Sequence, residues 1–509
     1  MRSIRSAQVS VSRVPTAVEA APPRLQQPGT ELSPTDDTVA RLLVEPLTRR
    51  QFVAGAVALG VSASALGAVL QACAQAARPS ATQSTAPSPS PVITPVPSFG
   101  GTAPVIDPTP TTATYGAMLE TSGIAPVAVP SAALRALLDE VAADARIPVA
   151  PAVVDGRRQA RLTVTADDPS FASQAYRLEV TSTTDGPAVT VRAGDDAGAY
   201  YGLLSLARLV VAEGSTRWLR AATVGDSPGF ARRGAILDPY VLPDVGVTDA
   251  SRALLLQRVR FGVRHKLNFV DLLDRTPWLE LMRFCDDHHV ELMNGIGYED
   301  RLTVTPRDQV KRQLDELLDA GTRSFSFDWD DMPLTDPVAQ AHEQAGILRD
   351  LYDYVRGRDP GIRVSAVFPP YAHVPGLNLS DNGQRYLAQM PGAFPADVRV
   401  FWTGDGGAFS PTVTAAGARA YATAVGHEIG LWDNDTIDFS RDRKPCSGRA
   451  ADLSSVAHTY MGNLAGEADW SGTNGEFALL TSLFYTWNPA TYDPADAASA
   501  AERILAPGS

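Results

Sequence analysis

From residue 230 onward, short apolar runs alternate with longer stretches in which apolar positions recur at helical spacing. The runs are "RRGAILD", "KLNFVDLL", "VELMNGI", "RSFSFDW", "IRVSAVF", "DVRVFW", "EIGLWD" and "AHTYMGN". Runs of this length, bounded by turn residues and followed by amphipathic segments, are the pattern of parallel strands buried on both faces. Eight of them, most with a helix after, predict a (β/α)8 barrel over residues 226–509. An open doubly wound sheet shares the alternation, but no Gly-rich phosphate loop follows the first run.

Residues 113–225 show a different rhythm. Polar and apolar positions alternate in "ARLTVTA" and "QAYRLEVTS", and "VTVRAGDDAGAYYGLLSLARLVV" reads as a strand, a Gly/Asp turn and an amphipathic helix starting near Ala197. This predicts a small α+β domain ahead of the barrel. Upstream, residues 74–112 are rich in Ala, Pro, Ser and Thr and bury too little apolar area to offset the entropy of ordering, so they read as a tether. Residues 1–73 read as an N-terminal extension and an address. Paired Arg49 and Arg50 precede an apolar run from Phe52 to Leu70, which ends in Leu70-Gln71-Ala72-Cys73. The arginines resemble a twin-arginine export signal and the last four residues a lipobox, which makes Cys73 the expected lipidation site of an exported, membrane-anchored surface lipoprotein. A plain transmembrane anchor is the alternative, because the run is about long enough to span a bilayer.

Charge and cysteine content narrow the function. A net charge of -13, with no Lys/Arg stripe outside the N-terminus, argues against a nucleic-acid partner. Beyond Cys73 only Cys285 and Cys446 remain, so no disulfide framework is implied, although one bridge between them stays open.

In a barrel the chemistry gathers where strands end at the C-terminal face. Those ends carry Asp238 and Tyr240, Asp271 to Arg275, Asp330 and Asp331, Tyr371, Trp402 with Asp405, Trp432 with Asn434 and Asp438, and Asn463. Acids, amides, aromatics and an arginine suit a sugar, whose apolar face stacks on rings while its hydroxyls take hydrogen bonds. A His cluster of the kind that holds zinc or a di-iron centre is missing from this set. In "FSFDWDDM" three carboxylates, Asp328, Asp330 and Asp331, crowd the end of a buried run. They repel one another, so they hold a metal, perform acid/base chemistry or face water. Consecutive acids such as Asp330 and Asp331 cannot easily flank a glycosidic bond at the roughly 5 Å or more that an acid and a nucleophile require, so both would act from one side. The nucleophile then comes most simply from the substrate's own 2-acetamido group. The run "CDDHHV" (285–290) contains ligand types but falls on the opposite face of the barrel.

Several motifs together carry a resemblance. "FSFDWDDM" is similar to the F-x-I-x-F-D-D-I strand of glycoside hydrolase family 84, the O-GlcNAcase and bacterial hyaluronidase-like β-N-acetylglucosaminidases. "VFWTGDG", "GLWDNDTIDF", "GNLAGEAD" and "YTWNPATYDP" resemble further motifs of that family, in order, over about residues 120–495. The 113–225 segment resembles the domain that precedes the barrel in several hexosaminidase families, with Tyr176, Asp196, Gly198, Tyr201 and Gly202 in matching places.

The resemblance implies retaining, substrate-assisted hydrolysis of a β-linked N-acetylglucosamine through an oxazoline, with no metal or organic cofactor. Asp330 would orient the acetamido nitrogen and Asp331 would serve as general acid and then base. Tyr371 would hydrogen-bond the acetamido oxygen, Trp432 and Asn434 would line the acetamido pocket, and Asn463 with Asp438 would bind outer hydroxyls. The family's R-G-x-x-E-G-F-Y-G becomes "RGAILDPYV", which keeps Arg233, Gly234 and Tyr240, and its strand-two lysine aligns with Arg275 in "LDRTP". Asp438 lies one residue early. These departures touch substrate identity more than reaction type. Two rival expectations are a carbohydrate-binding surface lipoprotein of reduced activity and a metal-dependent hydrolase built on Asp328, Asp330 and Asp331.

Overall fold

A computed structural model describes residues 104–506, apart from short segments at 151–152, 155–156, 214–215, 238–248, 274–275, 298–300, 373, 375–378, 435–442 and 465–473. Cys73, Tyr240, Arg275 and Asp438 lie outside the described residues.

The first domain comprises β1 (Thr112–Thr121), β2 (Ile124–Ala128), α1 (Ala132–Asp144), a ribbon of β3 (Val153–Val154) and β4 (Arg157–Arg158), β5 (Ala160–Thr165), β6 (Tyr176–Thr183), β7 (Gly186–Ala193), α2 (Asp196–Arg208), β8 (Val210–Glu213) and β9 (Thr216–Asp226). Its sheet runs β1-β9-β6-β7-β5-β2, with β8 paired to β9. Helix α2 starts where Asp195 caps it by accepting from Gly198 N at 2.8 Å. Residues Gly198 to Leu206 are all buried, as expected of a helix covered on every side. Gly202 is required there, because a Cβ would sit 2.6 Å from Val191 Cγ1 of the sheet.

The second domain is a closed eight-stranded parallel barrel. Its strands are β10 (Arg232–Leu237), β11 (Phe269–Leu272), β12 (Glu291–Gly297), β13 (Ser324–Asp328), β14 (Arg363–Val367), β15 (Arg399–Trp402), β16 (Ile429–Asp433) and β17 (Ala457–Asn463). Each of the eight apolar runs is one of these strands, so the barrel expectation holds and the open sheet does not. The helices are α3 (Asp249–Val263), α4 (Leu279–Asp287), α5 (Arg301–Val304), α6 (Arg307–Ala320), α7 (Pro337–Arg358), α8 (Asp381–Leu387), α9 (Ala415–Val425), α10 (Asn474–Trp487) and α11 (Pro494–Leu505). Successive strand residues face opposite sides. Ile236, Phe269, Met293, Val367, Phe401 and Met461 therefore fill the barrel interior, while Phe325, Phe327, Val364, Val400 and Leu431 pack outward under the helices.

The two domains share one apolar core, in which α1 and α2 residues cluster with Val259, Leu281, Leu479 and Trp487 of the barrel helices. A polar knot is buried at this seam. Lys266 Nζ lies 3.1 Å from Asp226 Oδ2 and 3.0 Å from the Tyr176 hydroxyl, which itself donates to Asp226 at 2.7 Å. Trp487 Nε1 donates to the same carboxylate at 3.0 Å. The guanidinium of Arg233 stands over the rings of Tyr201 and Trp487. Of the hexosaminidase-like residues, Tyr176 and Tyr201 thus dock the domain on the barrel, while Gly198 and Gly202 pack α2 within the first domain.

Cys285 and Cys446 are both buried free thiols, which closes the question of a bridge between them. His288 of the "CDDHHV" run places Nδ1 2.8 Å from the Phe284 carbonyl oxygen and Nε2 2.9 Å from Glu140 of α1, so it ties the two domains together.

Candidate active site

Strand β13 ends at Asp328, and the chain then turns. Side chains alternate through this stretch: Trp329 points outward, fully buried against Phe368 with ring centroids 5.7 Å apart, whereas Asp328 is buried and accepts from Ser326 Oγ at 2.5 Å. The Trp329 amide donates to the Val367 carbonyl at 2.9 Å and so holds the first residue of the turn to β14. Asp330 and Asp331 follow, at the C-terminal mouth of the barrel. Asp331 adopts φ +57, a left-handed conformation that a non-glycine residue takes at some energetic cost. Its Oδ1 accepts the Tyr371 hydroxyl at 2.6 Å.

Asp330, Asp331, Val367, Tyr371, Ala408, Phe409, Trp432, Asn434 and Asn463 line one cleft of about 220 Å³. The wall opposite the acids is a locked amide network. Asn434 Oδ1 accepts from Trp432 Nε1 at 2.7 Å and from Asn463 Nδ2 at 2.8 Å, while its Nδ2 donates to the Ala408 carbonyl at 3.0 Å. Those three bonds fix which end of the Asn434 amide is oxygen. Behind this wall, buried Asp433 pairs with Arg449 through two contacts of 2.7 and 2.5 Å and accepts the Tyr460 hydroxyl at 2.6 Å. Arg449 also donates to the carbonyls of Ser410 and Pro411 at 3.2 and 3.3 Å, so one guanidinium anchors both the end of β16 and the loop after β15.

Six of the residues expected from the sequence, Asp330, Asp331, Tyr371, Trp432, Asn434 and Asn463, therefore share this cleft. Trp402 does not. It is fully buried on the outer side of β15, 5.9 Å from the Tyr421 ring of α9, because its inward neighbour is Phe401. Its expected part in substrate binding is corrected: it is a core residue. Ala408 and Phe409 line the cleft and were not foreseen; the aromatic in the Gly-rich "TGDGGAFSP" segment was their signal.

A third carboxyl lies beneath the acids. Asp271 of β11 is 1% exposed, and neither of its oxygens has a hydrogen-bond partner among the described residues. Gly295 of β12 lies beside it; a Cβ there would stand at ordinary contact distance, 3.5 Å, from Asp271 Oδ1 but would collide with Leu273 Cδ2 at 2.7 Å. Burial first, and the nearby Asp330 second, push the Asp271 carboxyl up to about 8, so it is largely a neutral acid at pH 7.

A larger cavity of about 470 Å³ opens at the other end of the barrel, where the buried carboxylate is already paired. Glu291 there pairs with Arg232 at 2.6 Å and with Arg363 at 2.9 Å. The acids, the amide network and the strand ends converge on the smaller cleft.

A (β/α)8 barrel with an acid pair after its fourth strand, preceded by this α+β domain, is an architecture suited to glycoside hydrolysis. Residues 280–508 match the family model described as beta-N-acetylglucosaminidase, and residues 104–227 match glycosyl hydrolase family 20, domain 2. Among solved structures, CpGH84B is similar to this chain at 18% identity and a TM-score of 0.64, over 80% of this chain and 75% of that one. A GH20 exo β-N-acetylglucosaminidase from Vibrio harveyi matches at 12% identity and 0.57, over 79% and 77%. The Flavobacterium johnsoniae chitobiase matches at 12% and 0.55, over 78% and 71%. The two family-model matches together point to a β-N-acetylhexosaminidase-type glycoside hydrolase, and the solved structures share its fold.

Proposed function

We propose that the protein is a retaining β-N-acetylglucosaminidase that works by substrate assistance. The observation that carries this reading is the placement of adjacent Asp330 and Asp331 in one cleft with the Tyr371 hydroxyl on Asp331. Two neighbouring carboxylates approach a glycosidic bond from one side and leave no protein nucleophile for the other face. The 2-acetamido carbonyl oxygen supplies it. As that oxygen attacks C1, Asp330 accepts the acetamido N–H, and Asp331 protonates the departing oxygen while the C1–O bond breaks. Water then attacks C1 of the oxazoline, Asp331 takes its proton and the acetamide reopens. Tyr371 orients Asp331 before substrate arrives and reaches the acetamido oxygen afterwards; Trp432 and Asn434 shape the acetamido side, and Asn463, with Asp438 and Arg275, serves outer hydroxyls. The names of the similar proteins, an exo β-N-acetylglucosaminidase and a chitobiase, agree with this substrate class.

We also propose, from the Arg49-Arg50 pair and the Leu70-Gln71-Ala72-Cys73 run, that the enzyme is exported and tethered through Cys73, with glycoconjugates or wall fragments bearing β-linked N-acetylglucosamine as its substrates. The test is hydrolysis of 4-methylumbelliferyl N-acetyl-β-glucosaminide, with and without EDTA, beside D330N and D331N. EDTA-resistant turnover that both variants impair supports the acid pair. Turnover abolished by EDTA, or unchanged in the variants, refutes it.

A further inference from the structure

Five large apolar side chains are exposed among the described residues, and of these Phe409 alone lines the cleft, with 53% of its surface open. Its backbone is held on both sides. Gly404 and Gly407, at φ +125 and +114, turn the chain in a way that side chains resist. Thr403 Oγ1 donates to the Gly407 carbonyl at 3.0 Å, and the Gly406 amide donates to Ser410 Oγ at 2.7 Å. The carbonyls of Ala408 and Ser410, on either side of the phenyl, accept from Asn434 and Arg449. A loop anchored this way presents the ring to a cleft that it shares with two carboxylates, two amides, Tyr371 and Trp432. Apolar area left in water there is recovered only when something covers it.

The substrate itself is the cover that fits. The deep end of the cleft is formed by buried Val367 and Asn434 and, on the reading above, takes the sugar being cleaved. What is attached through the glycosidic oxygen projects toward solvent, where the exposed residue stands. A pyranose offers a C–H face to an aromatic ring while its hydroxyls remain hydrated. We propose that Phe409 is a specificity-determining residue, a platform for the sugar on the leaving-group side, which makes β-linked N-acetylglucosamine oligosaccharides better ligands than simple glycosides. This deepens the proposed function and rests on it.

The test is calorimetric titration of the full-length D331N protein, which lacks the acid and leaves ligands intact, with and without F409A. The ligands are methyl N-acetyl-β-glucosaminide, its N-propionyl analogue and N,N′-diacetylchitobiose. F409A should weaken chitobiose about fivefold to tenfold, the loss of a partly buried ring face, and change the two monosaccharides less than about twofold. F409W should keep the chitobiose affinity. Unchanged chitobiose binding overturns the proposal, as does equal weakening of all three ligands, which marks a structural role. Weakening confined to the N-propionyl analogue assigns Phe409 to the acyl group instead and also overturns it. If D331N with Phe409 intact binds none of the three, the proposed function itself fails, and that result is read before any change at Phe409.

Discussion

Asp271→Asn tests the electrostatic reading of the barrel interior most directly. The folded state holds this carboxyl at about 8, against an ordinary value of 3.8. A group raised on folding supports the fold fully only below its unfolded value, and that support is lost as pH rises through the folded value. For Asp271 the loss runs from about pH 4 to about pH 8. At pH 7 the cost of keeping it protonated is about 4 kcal/mol, from 1.36 kcal/mol per unit over the interval from 3.8 to 7. Relaxation around Asp330 and water entry reduce what is measured to about 1–3 kcal/mol. Asparagine has nearly the same shape, remains neutral and does not titrate. The variant should therefore match the parent near pH 4, exceed it increasingly up to pH 8 and hold a constant lead above that. Urea or guanidinium unfolding at unit pH steps reads this difference directly. A difference that does not vary with pH, or a parent more stable at every pH, would show that Asp271 is ionised and compensated, and would sink the reasoning.

Other changes probe the acids, the seam and the core. D331N should cut kcat/KM far more for chitobiose than for an aryl glycoside with a good leaving group, whereas D330N should impair both; equal losses in D331N would argue against its acid role. K266M leaves the Asp226 carboxylate buried beside Tyr176 and Trp487 without its cation, and should cost about 3–5 kcal/mol in an unfolding assay. Adding D226N to it should recover much of that loss. N434A removes the acceptor shared by Trp432 and Asn463, and is expected to lower kcat/KM about tenfold to a hundredfold in steady-state assays with little change in Tm. W402F should cost about 1–3 kcal/mol of stability and leave KM unchanged; a selective rise in KM would restore Trp402 to the substrate.

The barrel was legible because burial on both faces writes itself into a strand as a continuous apolar run, and all eight runs became strands. The acid pair was legible for a related reason: carboxylates at the end of such a run conflict with burial and demand an explanation, and only a strand end offers one. Local sequence also marked the start of α2, through the Asp195 cap.

Facing direction was decided only by the fold. Trp402 and Trp432 both end apolar runs, yet one packs under α9 and the other meets Asn434, because strand parity at the barrel mouth depends on register with neighbouring strands. The isolation of Asp271 beside Asp330 likewise needed β11, β12 and β13 brought together over Gly295. The long-range anchors of the Phe409 loop, Asn434 and Arg449, lie 26 and 39 residues away from the groups they hold. Local patterning determines which elements form and where polar chemistry gathers at their ends. Through-space packing determines which of those side chains meet and what charge each can carry.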